Sequence, residues 1–166
     1  MQPVPYGWLQ SFIQKLASSA PGSWLLAHIL RTLDRFTLKV SGGRATLTNI
    51  LAGVPVIWVT TTGARSGQPR TRPLLPIHDP EHPERCALIA SNFGQPHFPA
   101  WYYNLKKHPQ ATCVLKSETI TLTAHEATGE EYERFWRYAT NTYFGYALYR
   151  KRAGRRVPIM VMERDS

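Results

Sequence analysis

Apolar residues recur with two different periods along the chain, and the change of period divides it. In residues 7–18 they fall at helical spacing, which predicts an amphipathic helix. Pro21 and Gly22 interrupt this pattern, and Ser23 can cap a second helix with apolar residues on one side. The sequence therefore predicts an N-terminal helical segment, residues 1–46, followed by residues 47–166. We expect the two segments to form a single domain.

From Val54 onward the apolar runs become short and turn residues separate them, which is typical of strands. Thr119–His125 alternates strictly, as expected of a half-exposed strand. Pro99 and the capping-box pair Thr128 and Glu131 predict the starts of two helices. An α+β fold follows, with a mostly antiparallel sheet of six strands closing into a barrel. The strands are expected over residues 54–62, 70–78, 85–91, 111–116, 118–126 and 157–163.

Charge narrows the range of partners. The chain has 20 Lys and Arg against 11 Asp and Glu, a net charge of +9. Such an excess favours nucleic acid, anionic lipid or a polyanionic ligand. Much of it falls in residues 65–72 and 150–156, so general solubility explains it less well than a specific role.

Cellular context follows from cysteine usage and from the N-terminal pattern. Cys86 and Cys113 lie in apolar strand-like runs, which indicates two reduced core residues and a reducing compartment. No apolar run is long enough to span a bilayer, and Lys15 interrupts the only candidate for a signal sequence. We expect a cytoplasmic protein. Residues 7–18 either pack on the domain, contact a membrane surface or contact a second subunit, so a homodimer stays open.

The turn after the first predicted strand has the composition of an anion site. Gly63 and Gly67 permit a tight turn that exposes backbone N–H groups. Arg65, Ser66 and Arg70 add forked guanidinium donors and a hydroxyl. The turn is expected to hold the anionic part of a ligand.

Metal and hydrolytic chemistry find no support in the sequence. His78 and His82 are four residues apart, but Pro80 and Pro83 prevent the helix that would align them, so we expect a solvated loop and no metal site. Ser66 lacks the spacing of a nucleophile elbow. Phosphate-binding P-loop and Rossmann fingerprints are also missing from the sequence.

Aromatic and polar residues cluster in two later segments. In SNFGQPHFPAWYYNL, Ser91 and Asn92 can donate to ring carbonyls or phosphates, while Trp101–Tyr103 serve either a core or a ligand. Tyr143, Tyr146 and Tyr149 recur every three residues, which favours one side of a helical turn. Their rings can stack on a flat ring, and their hydroxyls can donate to a substrate. The next residues, Arg150, Lys151 and Arg152, are left open between solvent and an anion.

These motifs, in this order, resemble the deazaflavin-dependent nitroreductase and F420H2-dependent quinone reductase family. The resemblance rests on TTTGARSGQPRTRPLL, ASN, PAWYYNLKKHP, the three tyrosines and VPIMVME, and runs from about Leu47 to Glu163. It implies a split β-barrel, resembling FMN-binding folds, with N-terminal helices and two helices packed on the barrel. It also implies the cofactor, coenzyme F420, whose reduced form donates a hydride to a quinone or a nitroaromatic.

The resemblance also assigns site residues. It implies catalytic roles for Tyr146, beside the ring, for Tyr143 and Tyr149 in the substrate pocket, and for Ser91. It implies coenzyme contacts in four segments. They are Ala64, Arg65 and Ser66; Arg70, Thr71, Arg72, Pro73, Leu74 and Leu75; Ile89, Ala90, Ser91 and Asn92; and Ala100, Trp101, Tyr102, Tyr103 and Asn104, with Tyr146.

Departures from the family pattern and two rivals qualify the prediction. Ala64 and Asn92 stand where relatives carry cations, and Phe144 stands where proline is common. The first rival is an FMN-binding split barrel, which would need a similar phosphate-binding site. A non-catalytic protein that binds deazaflavin or nucleic acid is the other alternative, although the sequence contains no recognised nucleic-acid motif, so we expect no nucleic-acid partner.

Overall fold

The computed structural model describes residues 56–115 and 118–164, which form seven strands and three α-helices. The predicted helix at 7–18, the helix after Ser23 and the segment 1–46 lie outside the described residues. The strands are β1 Ile57–Thr62, β2 Pro69–Leu74, β3 Pro76–His78, β4 Cys86–Ile89, β5 Gln110–Leu115, β6 Glu118–Glu126 and β7 Ile159–Glu163. The helices are α1 Ala100–Lys107, α2 Gly129–Thr142 and α3 Gly145–Ala153.

The prediction of six strands was wrong because the expected strand 70–78 is broken at Leu75 into β2 and β3. Pro73 and Pro76 flank the break, and neither can donate a backbone hydrogen bond to a ladder. The expected two helices are three, because residues after Tyr143 form α3 as a helix of its own. The predicted antiparallel character is confirmed, since every strand pair is antiparallel.

The sheet curls, and its two edge strands approach each other at one corner. The strand order is β2-β1-β5-β6-β7-β4-β3, so β2 and β3 occupy opposite ends, although only Leu75 separates them along the chain. A flat sheet of this size would hold its ends roughly 29 Å apart, at about 4.8 Å per strand. Leu74 and Pro76 are two residues apart, which allows at most about 7.6 Å. Curling follows from the connectivity.

The sheet carries a hydrophobic core on each face. The first core joins residues of β1, β4, β5, β6 and β7 with Trp101, Tyr102 and Leu105 of α1. The second core joins residues of β3, β4 and β7 with α2 and α3. Successive residues of β4 alternate between the two cores, as strand geometry requires. β4 therefore separates the core that contains α1 from the core that contains α2 and α3.

The sequence predicts where the helices begin better than it predicts which side chains cap them. α1 begins directly after Pro99, as predicted. Thr128 is the N-cap of α2, but its side chain makes no capping hydrogen bond. Glu131 accepts instead from Arg85 Nη2, at 2.7 Å, and lies 2.9 Å from His125 Nε2. The capping-box prediction placed the helix correctly and was wrong about Glu131.

Both cysteines behave as the sequence predicts. Cys86 and Cys113 are free and buried in the first core. Among the described residues, no helix is long and apolar enough to cross a membrane.

Candidate active site

The turn between β1 and β2 depends on its two glycines. Gly67 has φ 66°, a conformation that disfavours other residues. A Cβ at Gly63 would lie 2.7 Å from Ser66 Oγ, so this position needs glycine for space. Gly63 N–H donates to the Gln68 carbonyl at 2.9 Å and Gly67 N–H to the Gly63 carbonyl at 2.8 Å. The turn uses these amides internally, so it offers an anion fewer N–H groups than the sequence suggests.

Helix α1 contacts this turn through hydrogen bonds of Asn104. Ala64 N–H donates to Asn104 Oδ1 at 2.9 Å, and Asn104 Nδ2 donates to Thr61 Oγ1 at 2.9 Å. Asn104 is buried, so both bonds are shielded from water. The structure thus brings two of the predicted coenzyme segments, 64–66 and 100–104, into direct contact.

Lys107, which sequence reasoning missed, adds a cation at the same place. Its Nζ donates to the Ala64 carbonyl at 2.7 Å. Ala64 is the position at which the resemblance implies a missing cation, and Lys107 supplies one from the last turn of α1. The paired Lys106 and Lys107, at the end of a helix whose Asn104 faces the turn, are the signal that could have identified it.

The register of β2 places its arginines on the face of the first core. Arg70 lies opposite Thr61, and Arg72 lies opposite Val59. Residues directly opposite in an antiparallel pair share a face, and Val59 belongs to the first core. Both arginines are nevertheless exposed, because β2 is an edge strand that pairs only with β1 among the described residues.

The other residues of this segment divide between the faces. Leu74 packs against the first core, whereas Thr71 and Pro73 alternate to the opposite face. There Thr71 Oγ1 lies 2.8 Å from Thr60 Oγ1. Thr71 and Pro73 could reach a ligand on the first-core side only through their backbone groups.

Within the described part of the chain, the cations of the turn and of β2 form no ion pair. None of Arg65, Arg70 and Arg72 forms an ion pair with a carboxylate of the described residues. Their charge is therefore uncompensated within that part of the chain, which favours binding of an external anion.

Beyond β4 the chain makes a left-handed turn. Asn92, Phe93 and Gly94 have φ values of 47°, 55° and 77°. The two residues that are not glycine each cost about 1 kcal/mol or more in this region. Asn92 Nδ2 donates to the His97 carbonyl at 3.1 Å, so its amide serves the loop. Ser91, directly before this turn, is buried.

This end of β4 passes the corner between β2 and β3. Leu88 pairs with Pro76, so Ile89 and Ala90 follow beside Leu75. Ala90 belongs to the first core and Ile89 to the second. Two predicted coenzyme segments, 70–75 and 89–92, thus meet where the sheet edges approach each other.

Three tyrosine rings form one cluster, as the sequence predicts, although they do not share one helix. Tyr146 and Tyr149 lie on α3, while Tyr143 precedes it in an extended conformation as the C-cap of α2. Ring centroids of Tyr143 and Tyr146 are 5.4 Å apart. The hydroxyls of Tyr143 and Tyr149 are 3.0 Å apart and share a hydrogen bond.

The cluster is mostly inaccessible to water. Tyr146 and Tyr149 are 7% and 3% exposed and belong to the second core. Burial, and then the nearby Tyr143, raise the pKa of both side chains. Both are poor acids at neutral pH, so they suit hydrogen bonding better than proton release. Tyr143 is only partly buried.

The aromatic run of α1 separates into core and surface. Trp101 and Tyr102 are buried in the first core, whereas Tyr103 is 49% exposed. The Tyr102 hydroxyl donates to Glu126 at 3.0 Å, and burial together with this carboxylate raises its pKa to about 12. Of this run, only Tyr103 presents a ring at the surface.

Residues 92–98 form a loop that joins the two halves of the candidate site, the tyrosine cluster on one side and α1 with the β1–β2 turn on the other. The Phe93 ring lies 6.0 Å from that of Tyr149, and the Phe98 ring lies 4.9 Å from Tyr102 and 6.0 Å from Tyr103. The tyrosine cluster contacts the start of this loop and α1 contacts its end. The loop therefore links the tyrosine cluster to α1.

Arginines of the second basic cluster stack on aromatic rings. Arg150 lies over Trp136 at 5.0 Å from the ring centroid, and Arg156 lies over Tyr132 at 3.9 Å. These contacts stabilise the packing of α2 and the end of α3. Arg150 and Arg156 are nevertheless exposed, so the choice between solvent and an anion for Arg150, Lys151 and Arg152 stays a prediction.

Two open depressions occur on the described surface, of about 770 and 490 Å³. The larger follows α2 between Gly129 and Arg137 and contains none of the predicted site residues. The smaller adjoins the β1–β2 turn and is lined by Thr62, Lys107 and His108 among others. No group of three potential metal ligands occurs in the described residues, and the loop of His82 is exposed.

Comparison with known proteins agrees with this geometry. A family model described as F420H(2)-dependent quinone reductase matches residues 30–164. An F420H(2)-dependent quinone reductase of Mycobacterium tuberculosis is 31% identical over 146 residues, which cover 85% of this chain and 96% of the relative.

Solved structures give the same result. An F420-H2 dependent reductase has a TM-score of 0.59 at 34% identity, covering 66% of this chain and 94% of its own. A chain described as a domain-swapped dimer has a TM-score of 0.61 at 31% identity, covering 87% of this chain and 100% of its own. The chain therefore belongs to the F420H(2)-dependent quinone reductase family of oxidoreductases.

Proposed function

We propose that this chain is an F420H2-dependent oxidoreductase that transfers a hydride to a quinone or to another planar electrophile such as a nitroaromatic. The observation that carries this proposal is that Arg65, Arg70 and Arg72 form no ion pair with a carboxylate of the described residues. They lie in and after the turn that α1 contacts through Asn104 and Lys107. Membership of the family supplies the identity of the coenzyme.

The residues present suit the anionic end of this coenzyme. Its phosphate and oligoglutamate tail need several cations that no carboxylate of the protein neutralises. Arg70 and Arg72 lie on the face where α1 packs, and Lys107 lies at the turn. Guanidinium groups bind phosphate and carboxylate oxygens with two donors each. We infer that Arg65, Arg70 and Lys107 hold the anionic end.

Ring contacts would come from the segments that meet at the end of β4. Ala90 belongs to the first core, Ser91 is buried directly after it, and Ala100 begins α1, which packs on the same core. When bound, reduced deazaflavin supplies the hydride. The protein supplies orientation, a site with little water and hydrogen-bond donors where the acceptor oxygen gains charge.

Within this arrangement the tyrosines donate hydrogen bonds to the acceptor. Tyr143 is partly exposed and shares a hydrogen bond with buried Tyr149. A hydroxyl whose own lone pair accepts from another donor becomes a stronger donor. We infer that Tyr143 faces the acceptor and that Tyr149 orients the Tyr143 hydroxyl. Tyr146 and Ser91 would line the rest of the acceptor site.

The rival functions have less support. The comparisons name F420H2-dependent enzymes, which leaves the FMN alternative without support. The sequence has no recognised nucleic-acid motif, and the comparisons name oxidoreductases, so nucleic-acid binding has no support beyond the basic charge.

Three finer features belong to the same proposal. We expect the curled sheet to complete a split β-barrel, and the chain to form a homodimer, as the likeness to a domain-swapped dimer suggests. Light scattering during gel filtration measures the oligomeric state. Membrane contact through residues 7–18, in a cytoplasmic protein, stays a prediction, because these residues lie outside the described part.

A turnover assay tests the proposed function. Purified protein is mixed with F420H2 and a soluble menaquinone or benzoquinone analogue, and reoxidation of the coenzyme is followed by its visible absorbance. We expect catalysed oxidation that saturates with quinone. The double variant R65M/R70M should raise KM for F420H2 more than it lowers kcat. Oxidation no faster than in a protein-free control would contradict the proposal.

A further inference from the structure

Arg155 makes an unusual set of contacts with the loop that joins the two halves of the site. It follows Gly154, whose φ of 62° ends α3 and turns the chain. Its Nε donates to the Pro96 carbonyl at 2.9 Å, and its Nη2 donates to the carbonyls of Gln95 and His97, both at 3.1 Å. One guanidinium thus binds three successive carbonyls.

The same side chain also covers an aromatic ring of the loop. Its guanidinium carbon lies 4.1 Å from the centroid of Phe98, whose ring contacts Tyr102 and Tyr103 of α1. The contact is within the range of a strong cation–π interaction. Arg155 therefore connects the end of α3 to the beginning of α1.

This loop has little regular structure of its own. Pro96 and Pro99 cannot donate backbone hydrogen bonds, and the preceding left-handed turn is conformationally costly. Its other anchors are the Asn92 amide on the His97 carbonyl and Arg152 Nη1 on the Phe93 carbonyl, both at 3.1 Å. Arg155 adds hydrogen bonds to three carbonyls of this loop, those of Gln95, Pro96 and His97.

We propose that Arg155 is a positioning residue for the coenzyme site: it fixes residues 95–98 and so sets Ser91 and the start of α1 relative to each other. The inference rests on the proposed function, because it assigns those two segments to the coenzyme ring. Only arginine suits the position, since its planar fork offers five N–H donors, whereas lysine offers three on one nitrogen and stacks less well.

The variant R155K tests this role, with R150K as the matched control. Arg150 occupies the same basic segment and stacks on Trp136, away from the loop. Hydrogen exchange of ligand-free protein is measured on peptides covering residues 92–104. In R155K we expect exchange there to be about tenfold faster, because charge-assisted hydrogen bonds are lost, with no change in R150K. Unchanged exchange in R155K would overturn the inference, whether or not the protein binds coenzyme.

Coenzyme affinity gives the second measurement. R155K should bind F420 about tenfold more weakly, and KM for F420H2 should rise while kcat falls less. Faster exchange with unchanged F420 affinity would contradict the positioning role. If wild-type protein fails to bind F420, the proposed function fails, and the exchange result alone then decides whether Arg155 fixes the loop. Should R155K not fold, F98L removes the stacked ring and gives the same comparison.

Discussion

At the scale of single residues, the same side chain has different roles according to its neighbours. Arg150 and Arg156 lie over aromatic rings and contribute to packing. Arg65 and Arg70 have no carboxylate partner among the described residues and remain available to a ligand. The sequence shows two basic clusters of similar composition, and only contacts distinguish them.

Lys107 tests the anionic seat at this scale. Replacing it by methionine removes the ammonium beside the Ala64 carbonyl. We expect F420 to bind about tenfold more weakly in K107M, and the remaining affinity to depend less on salt, because one charge contact is lost. The control is K106M, since Lys106 pairs with Glu126 at 3.0 Å instead. Equal affinities of the two variants in a fluorescence titration would exclude the assigned role of Lys107.

Tyr143 tests the tyrosine cluster. The variant Y143F keeps the ring and removes the hydroxyl that shares a hydrogen bond with Tyr149. We expect kcat with a quinone to fall about tenfold while F420 affinity changes little. Y138F is the matched control, since Tyr138 lies on α2 with no hydroxyl contact in the described part. A loss of affinity without a loss of kcat would argue against a substrate-facing role.

The cysteines give a prediction that does not depend on function. Burial raises the pKa of Cys86 to about 12 and that of Cys113 to about 11. Because the thiolate is the reactive form, both should resist a thiol reagent at pH 8 in the native protein and react quickly in denaturant. Rapid labelling of two thiols per folded chain would show that the first core opens.

At the scale of elements, the sequence predicts positions better than contacts. Period and turn residues located β1, β4, β5, β6 and β7 and the starts of α1 and α2, and they merged β2 and β3 into one strand. The break at Leu75 arises because proline has no donor for the ladder. It was missed because the neighbouring residues suit a strand. The place of Tyr143 outside α3 was missed because a three-residue spacing does not reveal where a helix begins.

Gly145 tests the junction of α2 and α3. A Cβ there would lie 2.3 Å from the Tyr143 ring, so G145A must displace that ring. We expect a loss of stability of about 1–3 kcal/mol, as for an overpacked core, together with a lower kcat. G154A is the comparison, because its left-handed residue meets open space and should cost only about 1 kcal/mol. A thermal midpoint for G145A equal to that of wild type would contradict the tight contact.

At the scale of the whole molecule, the curled sheet determines which segments meet. Connectivity through Leu75 brings β2 beside the end of β4, and alternation along β4 places α1 on one face and α3 on the other. Sequence patterns do not encode such long-range proximity directly. The family resemblance supplied it, whereas Lys107 and Arg155 emerged only from contacts between elements.

Buried tyrosines predict how stability depends on alkaline pH. Burial raises the pKa of Tyr102 to about 12 and raises those of Tyr146 and Tyr149 further. In the unfolded chain tyrosine ionises near pH 10. Above that pH, unfolding therefore releases protons that the native state retains. The stabilisation is complete below about pH 10 and is lost as the pH rises towards 12.

Urea midpoints at pH 8, 10 and 11 measure this loss. We expect the midpoint to fall between pH 10 and 11 more steeply in wild type than in Y149F, which lacks one of the raised groups. Parallel curves for the two proteins would show that Tyr149 is ionised in the folded state at ordinary alkaline pH.

The measurement that tests the central claim most directly is a titration of the purified protein with oxidised F420. Tryptophan fluorescence reports binding, since Trp101 lies in α1 beside the predicted ring contacts. FMN serves as the parallel ligand. We predict a Kd for F420 of about 1 μM or lower and at least tenfold weaker FMN binding. Firm binding of FMN without binding of F420 would contradict the account.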